Sequence, residues 1–515
     1  MPPSNKPSPS LIINTQNGPI SGVEKNGIYS FKGIPYAAPP LGERRWLPPQ
    51  PALPWTEVMD GSQYQTIAPQ PLYPKGSFFK QPNYPQSEDC LHLNIWTSSP
   101  QPREKKAVMV WIHGGYFNYG GGALPHYDGT RLAEENVVLV TINYRLGVLG
   151  FLGHPALSEA SPAGVSGNYG LLDQIAALQW IKANIESFGG DPNNITLFGE
   201  SAGAWSISLL VVSPLAKGLF HRAIAQSGGA TGPTPYLKEE KYGKLSGEKA
   251  GLRFAKAAGA SSLSALRDLS VADILKASQR ASFYTEPYVD GWFLPDEPRF
   301  LMEQSAMHQV PILLGSNQDE ATAFADPQTL PTTAEEFIKS LHKKYGDLAP
   351  KILEGYPVEK DSDVLKAHLN RLGDQLFTLS MRHWARRSAQ QQIPTYLYYF
   401  TRIPNIPQKD YYGSYHGAEI PYVFGNLHKI PVEGIFDSYD YDLSRHIMTY
   451  WTEFAKTGTP NTPASPTWEA YQKETAYYLE LGDEVALKQH LLAHRLDILE
   501  EVTKRRQASV VSHIR

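Results

Sequence analysis

Cysteine is all but missing: Cys90 stands alone among 515 residues. A lone thiol forms no intramolecular disulfide, which excludes a disulfide-framed scaffold and points to a reducing compartment, the cytoplasm. Cys90 sits in Asp89-Cys-Leu-His-Leu-Asn-Ile-Trp96, an alternating run of strand character, so it is expected to pack rather than to react. No run of about 18 apolar residues occurs, which argues against a membrane-spanning helix. Residues 1–10 are polar and proline-rich, lack the apolar core of a secretion signal, and read as a flexible tail. A dominant charge is missing too. Basic and acidic residues number 47 and 51, and the one basic run is Lys504-Arg-Arg506, so nothing calls for nucleic acid. No His and Cys cluster has zinc spacing, and neither a metal nor an organic cofactor is expected.

What is present is ample core-forming sequence, 41% hydrophobic against 19% charged, as in a globular enzyme. Strand-like runs at 11–14 and 28–31 flank Asn-Gly turn signals and predict an antiparallel start. Runs at 91–97, 107–113, 137–144, 195–198, 222–227, 311–314 and 395–400 come after them, several apolar throughout, as strands covered on both faces require. Helical spacing over 168–188 ends at Gly189-Gly-Asp-Pro192, and 487–515 reads as a final charged helix. Strands alternating with helices predict an α/β fold with a mostly parallel central sheet covered on both faces. The helical intervals 234–285 and 331–394 are expected to be insertions that cap the sheet's carboxyl edge. With no repeat and no long low-complexity linker, residues 11–515 are read as one domain.

The chemistry centres on Gly199-Glu200-Ser201-Ala202-Gly203. A buried strand precedes it and an apolar helix succeeds it, so Ser201 is placed on a sharp strand-to-helix turn, its hydroxyl outward and two glycines clearing the bend. A nucleophilic serine needs a base, an acid that orients the base, and donors for the oxyanion. Trp111-Ile-His-Gly-Gly-Tyr-Phe117 lies after another buried strand and offers the amides of Gly115 and Tyr116, with that of Ala202, as donors. In the order serine, acid, histidine, the acid comes from Asp319 or Glu320, which spacing alone does not separate. Of the later histidines, His416 stands in a glycine-flanked loop, Gly413-Ser-Tyr-His-Gly417, where a base belongs.

These stretches resemble the type B carboxylesterase and cholinesterase family of α/β-hydrolases. So do Phe31 to Pro40, Ser87 to Asn94, Asn143 to Gly147, Asn168 to Gln174, Gln226-Ser-Gly228, Val289-Asp-Gly291 and Phe454 to Gly458, in the family's order. The resemblance implies an α/β-hydrolase fold with Ser201 as nucleophile, Glu320 as acid and His416 as base. It implies supporting places for Gly114, Glu200 and Ser227, a structural ion pair of Glu88 with Arg145, and a substrate pocket walled by Tyr116, Phe283 and Phe324. The activity implied is hydrolysis of small-molecule carboxylic esters through an acyl-serine, by a monomer or homodimer that needs neither membrane nor nucleic acid. A carbamate, amide or complex natural ester would use the same triad, and a non-catalytic interaction protein is a remote alternative. The departures bear on substrate. The position facing Cys90 in disulfide-bearing relatives falls near Ala68, so the intervening loop is expected to be held by packing alone. No tryptophan stands in residues 75–83 to bind choline, Ala323 replaces one of an aromatic pair, and Tyr116 takes the place of a glycine or alanine.

Overall fold

Strands that are apolar at nearly every position occupy the middle of one large sheet. The computed structural model describes residues 11–74, 77–429 and 434–512, so the expected tail of 1–10 lies outside the described residues. In chain order the strands of this sheet are β1 (Val23–Lys25), β2 (Ile28–Pro35), β3 (His92–Thr97), β4 (Lys106–Ile112), β5 (Val138–Ile142), β6 (Gly190–Glu200), β7 (Arg222–Gln226), β8 (Ile312–Asn317), β9 (Thr395–Phe400), β10 (Tyr477–Leu481) and β11 (Val485–Gln489). Their spatial order is β11-β10-β9-β8-β7-β6-β4-β5-β3-β2-β1. Neighbours from β10 to β5 run parallel, and antiparallel pairs finish both edges. The expected antiparallel start from the runs 11–14 and 28–31 is not formed by those two runs: Ile12–Asn14 pairs with Pro19–Ser21 in a small separate sheet, and the run beginning at Ile28 joins the large sheet.

Helices cover both faces. Helix α1 (Tyr169–Asn184) is buried on almost every side, so even its polar residues need partners. Asp173 takes a two-point contact from Arg145, at 2.8 Å to Nε and 2.7 Å to Nη2, and Gln174 donates to Ser206. Helix α2 (Ala202–Leu210) leaves the elbow at the carboxyl end of β6. Gly203 has to be glycine there, since a Cβ would stand 1.9 Å from the carbonyl oxygen of Ile112 on β4. Further on come α3 (Ala334–Tyr345), α4 (Val364–Gly373), α5 (Ser438–Thr457) and α6 (Ala493–Ser512). A π turn, Asp374–Thr378, joins α4 to the helix Leu379–Gln390. Among the described residues no helix is long and apolar enough to cross a membrane.

Three further expectations need correction. The segment from Leu487 is not helical at its start: it belongs to a hairpin of β10 and β11 closed by Gly482-Asp-Glu484, and α6 begins only at Ala493. The hairpin lies at the sheet's edge, and β11 ends on Lys488 and Gln489, adjacent polar residues that read in sequence as the start of a charged helix. Glu88 does not pair with Arg145. Arg45 holds Glu88 at 2.5 Å, because Arg145 is already committed to Asp173. The loop from Ala68 to Cys90 is closed by more than packing. Backbone hydrogen bonds from Ile67 to Pro85 and from Ser87 to Ile67 pin its neck, with Thr66 donating to the Asp89 carbonyl. Cys90 itself is fully buried, and burial pushes its thiol far above the ordinary range.

Arg145 and Asp173 form the charged pair most completely removed from water around α1. Asp173→Asn leaves the guanidinium buried without a counter-charge, and denaturant unfolding should show a loss of about 3–5 kcal/mol. An unchanged midpoint would mean that the pair is not a stability determinant.

Candidate active site

Parallel strands deliver their carboxyl ends to one edge, and there the sequence-predicted residues meet. Ser201 has φ 56° and ψ −121°, a conformation foreign to ordinary L-residues and characteristic of a strained elbow. The turn is held because the Ser201 amide donates to the Gln226 carbonyl at the end of β7 and its carbonyl accepts from Trp205. The oxyanion loop after β4 lies directly on the elbow. A Cβ at Gly114 would come within 2.8 Å of both the Glu200 carbonyl and its carboxylate, so only glycine allows that approach. His113 anchors the loop from beneath. Burial lowers its pKa to about 4, and the neutral ring, stacked on Tyr144, places Nδ1 2.8 Å from the Gly114 carbonyl. Gly115 and Tyr116 both take positive φ, 104° and 57°. Their amides and that of Ala202 donate to no acceptor among the described residues, which leaves three N–H groups available around the serine.

Glu320 lies just past β8 and is fully buried. It accepts from Ser227 Oγ at 2.6 Å and from the Asn317 amide at 2.8 Å, and its other oxygen stands 2.5 Å from His416 Nδ1. Asp319, which spacing left as an equal choice, instead accepts from the Ser414 amide and helps to hold the histidine loop. The far ring nitrogen of His416, Nε2, lies 2.9 Å from Glu200 but without hydrogen-bond alignment, so it has no aligned partner. That leaves it free for the serine hydroxyl, a contact that often tightens only when substrate is bound. Burial by itself would lower the imidazole pKa. The charges of Glu200 and then Glu320 outweigh it and push the value up to about 10.

A cavity of about 1110 Å³ opens onto these groups, and Ser201, His416, Glu200, Gly114, Gly115 and Tyr116 all line it. Phe324 lines it as well, edge to face with Tyr116 at 5.6 Å. Phe283 does not line it. Its ring packs against Phe254 at 6.1 Å, among the helices of the 234–285 interval. Thr285, the last residue of that interval, hydrogen-bonds Asn118 in the oxyanion loop. Sequence reading missed Phe377, whose ring packs tilted against His416 at 4.4 Å from the π turn. Phe79 and Phe324 complete an aromatic collar about the ring, at 6.2 and 4.8 Å.

Glu419 was missed too. It is fully buried and accepts from Gln226 and Asn317, the last residues of β7 and β8, just ahead of Ser227 and Glu320 in the chain. Burial first, and Glu200 second, raise its pKa to about 7. Neither residue announced itself. A phenylalanine in an amphipathic helix and a glutamate three places after a loop histidine are ordinary in sequence, and only folding brings them to the site.

Comparison with known proteins gives a consistent result. A profile of the carboxylesterase family matches residues 9–499. Fumonisin B1 esterase of Sphingopyxis macrogoltabida is 38% identical over 90% of this chain and 85% of its own. Para-nitrobenzyl esterase of Bacillus subtilis (strain 168) is 37% identical over 93% of this chain and 96% of its own. Among solved structures, a thermophilic para-nitrobenzyl esterase superposes with a TM-score of 0.82 at 34% identity, covering 95% of this chain and all of that one.

His416 must lose its proton before it can act as a base, and Glu200 is the strongest of the charges that hold the proton on. Glu200→Gln removes that charge, so the imidazole pKa falls. The acidic limb of the kcat/KM–pH profile should move to lower pH by about one unit or more. A limb that stays put or moves upward would detach Glu200 from the titration of His416.

Proposed function

The chain belongs to the carboxylesterase family, and on that premise we propose that it hydrolyses esters through an acyl-enzyme on Ser201. It is a carboxylic ester hydrolase of the α/β-hydrolase fold, acting on small-molecule esters. In the proposed mechanism His416 takes the Ser201 proton as the oxygen attacks the ester carbonyl. Glu320 orients the ring through Nδ1 and stabilises the imidazolium. The amides of Gly115, Tyr116 and Ala202 hold the tetrahedral oxyanion. His416 then gives its proton to the departing alcohol, and an acyl-serine remains. Water, deprotonated by the same imidazole, attacks the acyl carbon and frees the acid. Glu200, Ser227 and Gly114 act in support: Ser227 holds Glu320, Glu200 biases the imidazole charge, and Gly114 lets the oxyanion loop close on the elbow.

The observation that carries this reading is the shared placement of Ser201 and His416 on one cavity, with Glu320 bonded behind the histidine. One catalytic domain holds every group involved. With a single cysteine and a net charge of only −4, we read the protein as cytoplasmic, a monomer or homodimer without nucleic-acid or membrane partners. A complex ester is the second reading. It is favoured by the cavity, which at about 1110 Å³ reaches the upper end of ordinary ligand sites, and by the relative named a fumonisin B1 esterase.

Mixing the enzyme with excess p-nitrophenyl acetate should give a burst of nitrophenol equal to the enzyme present, and an organophosphate should label Ser201 and abolish turnover. Ser201→Ala should lower kcat by about four to six orders of magnitude. A variant that keeps its turnover would remove Ser201 from the mechanism.

Tyr116 is half exposed at the cavity wall and pairs with Phe324, so it is proposed to limit the acyl chain. Tyr116→Ala should raise the octanoate-to-acetate ratio of kcat/KM by about tenfold, the worth of one or two methylenes in an apolar pocket. An unmoved ratio would place the acyl group elsewhere.

A further inference from the structure

Among the described residues, buried arginines are paired with carboxylates, with one exception. Arg45, Arg145, Arg299 and Arg382 are each less than a tenth exposed, and each meets an acid: Glu88, Asp173, Glu297 and Asp497 respectively. Arg371 on α4 is only 4% exposed, and among the described residues no ion pair joins it to a carboxylate. Its Nη1 donates to Tyr345 Oη at 2.9 Å and to Gln375 Oε1 at 3.1 Å, both neutral, and its Nε has no partner. A guanidinium withdrawn from water with neutral acceptors alone is costly to bury.

Two further cations converge on the same spot from other helices. Around the ring of Tyr345 stand Arg371 at 5.8 Å, Lys344 of α3 at 5.4 Å and Arg506 of α6 at 5.4 Å. Lys344 is exposed, and no ion pair joins it to a carboxylate among the described residues. Its ammonium reaches 3.4 Å toward Gln375 Oε1, the oxygen that already accepts from Arg371 and from Tyr345 Oη. Three donors thus aim at one uncharged oxygen, which has two lone pairs. Asp374, the residue after the α4 helix, is engaged by Arg495 and the Tyr356 hydroxyl. His368, one turn back on α4, adds no counter-charge.

We propose that Lys344, Arg371 and Arg506 form a binding site for a multivalent oxyanion of the phosphate class, separate from the ester cavity. The geometry suits it. Lys344 and Arg506 lie at the surface and admit the ion, while Arg371 forms the floor and offers a planar fork of donors to its oxygens. The titration behaviour agrees. Burial, then Arg371 and Arg506, lower the Lys344 pKa to about 8, as expected where cations crowd together. None of these residues lines the ester cavity.

The test uses the full-length protein with inorganic phosphate, titrated at pH 7 against sodium chloride of equal ionic strength, with the thermal midpoint as readout. The midpoint should rise saturably with phosphate beyond the chloride control, in the manner of a ligand that binds the folded state. Lys344→Gln, an exposed change that leaves folding intact, should raise the half-saturating phosphate concentration by about tenfold. Arg371→Met should abolish the saturable rise, and its midpoint in phosphate-free buffer should equal or exceed that of the parent, since an unpaired buried charge has been removed. No saturable rise, or the same rise in Lys344→Gln as in the parent, would overturn the site.

Discussion

The active site depends on how closely two backbone segments approach at the end of the sheet. β4 and β6 are parallel neighbours, and the loop leaving one passes over the turn leaving the other. Gly203 clears the Ile112 carbonyl, and Gly114 clears Glu200. With those approaches fixed, Ser201 has one place to go, a left-handed conformation that the hydrogen bond to Gln226 and the start of α2 hold in position. The strain is local and the restraint is not. The strands that pin the serine are among the most deeply buried, so positional accuracy at the site is inherited from the core.

Around that fixed serine the protein concentrates negative charge. Glu320, Glu200 and Glu419 are all buried near His416, and among the described residues no lysine or arginine lines the cavity to neutralise them. Glu320 and Glu419 are bonded, by Ser227, Asn317, Gln226 and the imidazole, whereas Glu200 Oε1 meets the ring only as a charge, 2.9 Å from Nε2. The result favours a positive ring in the pocket, which is what the attack step creates. Phe377, Phe324 and Phe79 keep water from the ring and strengthen those fields.

Sequence made the central strands, the elbow and the triad legible because each is set by local rules. Continuous apolar runs mark covered strands, and Gly-x-Ser-x-Gly marks a turn that few other residues could make. Chain order narrowed the acid to two neighbours, and only the folded loop shows why Glu320 faces the imidazole while Asp319 turns to Ser414. What stayed hidden depends on contacts remote in sequence. Phe283 looked like a pocket wall by position, but the helices of its own interval offer Phe254 as a partner. The edge hairpin of β10 and β11 escaped notice because its exposed face is polar. The ionic partners of Arg145 and Glu88 were exchanged, since both carboxylates, Asp173 and Glu88, fit the sequence and only geometry assigns them.

Charge balance separates structure from chemistry in this molecule. Where an ion serves the fold, its partners are complete: Arg145 has both oxygens of Asp173, and Arg402 reaches Asp437, Asp440 and Asp483 together. Where balance fails among the described residues, the imbalance has one sign and a site of its own, acidic around His416 and basic where Arg371 and Lys344 share neutral acceptors. The two meet along one stretch of helix. In the π turn after α4, Gln375 receives the donors of the basic cluster, and two residues later Phe377 packs against the His416 ring. A π turn inserts an extra residue and rotates the rest of the helix about its axis, so a single short segment can present side chains to two environments that a regular helix would not serve at that spacing. The irregularity at Asp374–Thr378 therefore belongs with the site as much as with the packing of the helices on either side of it.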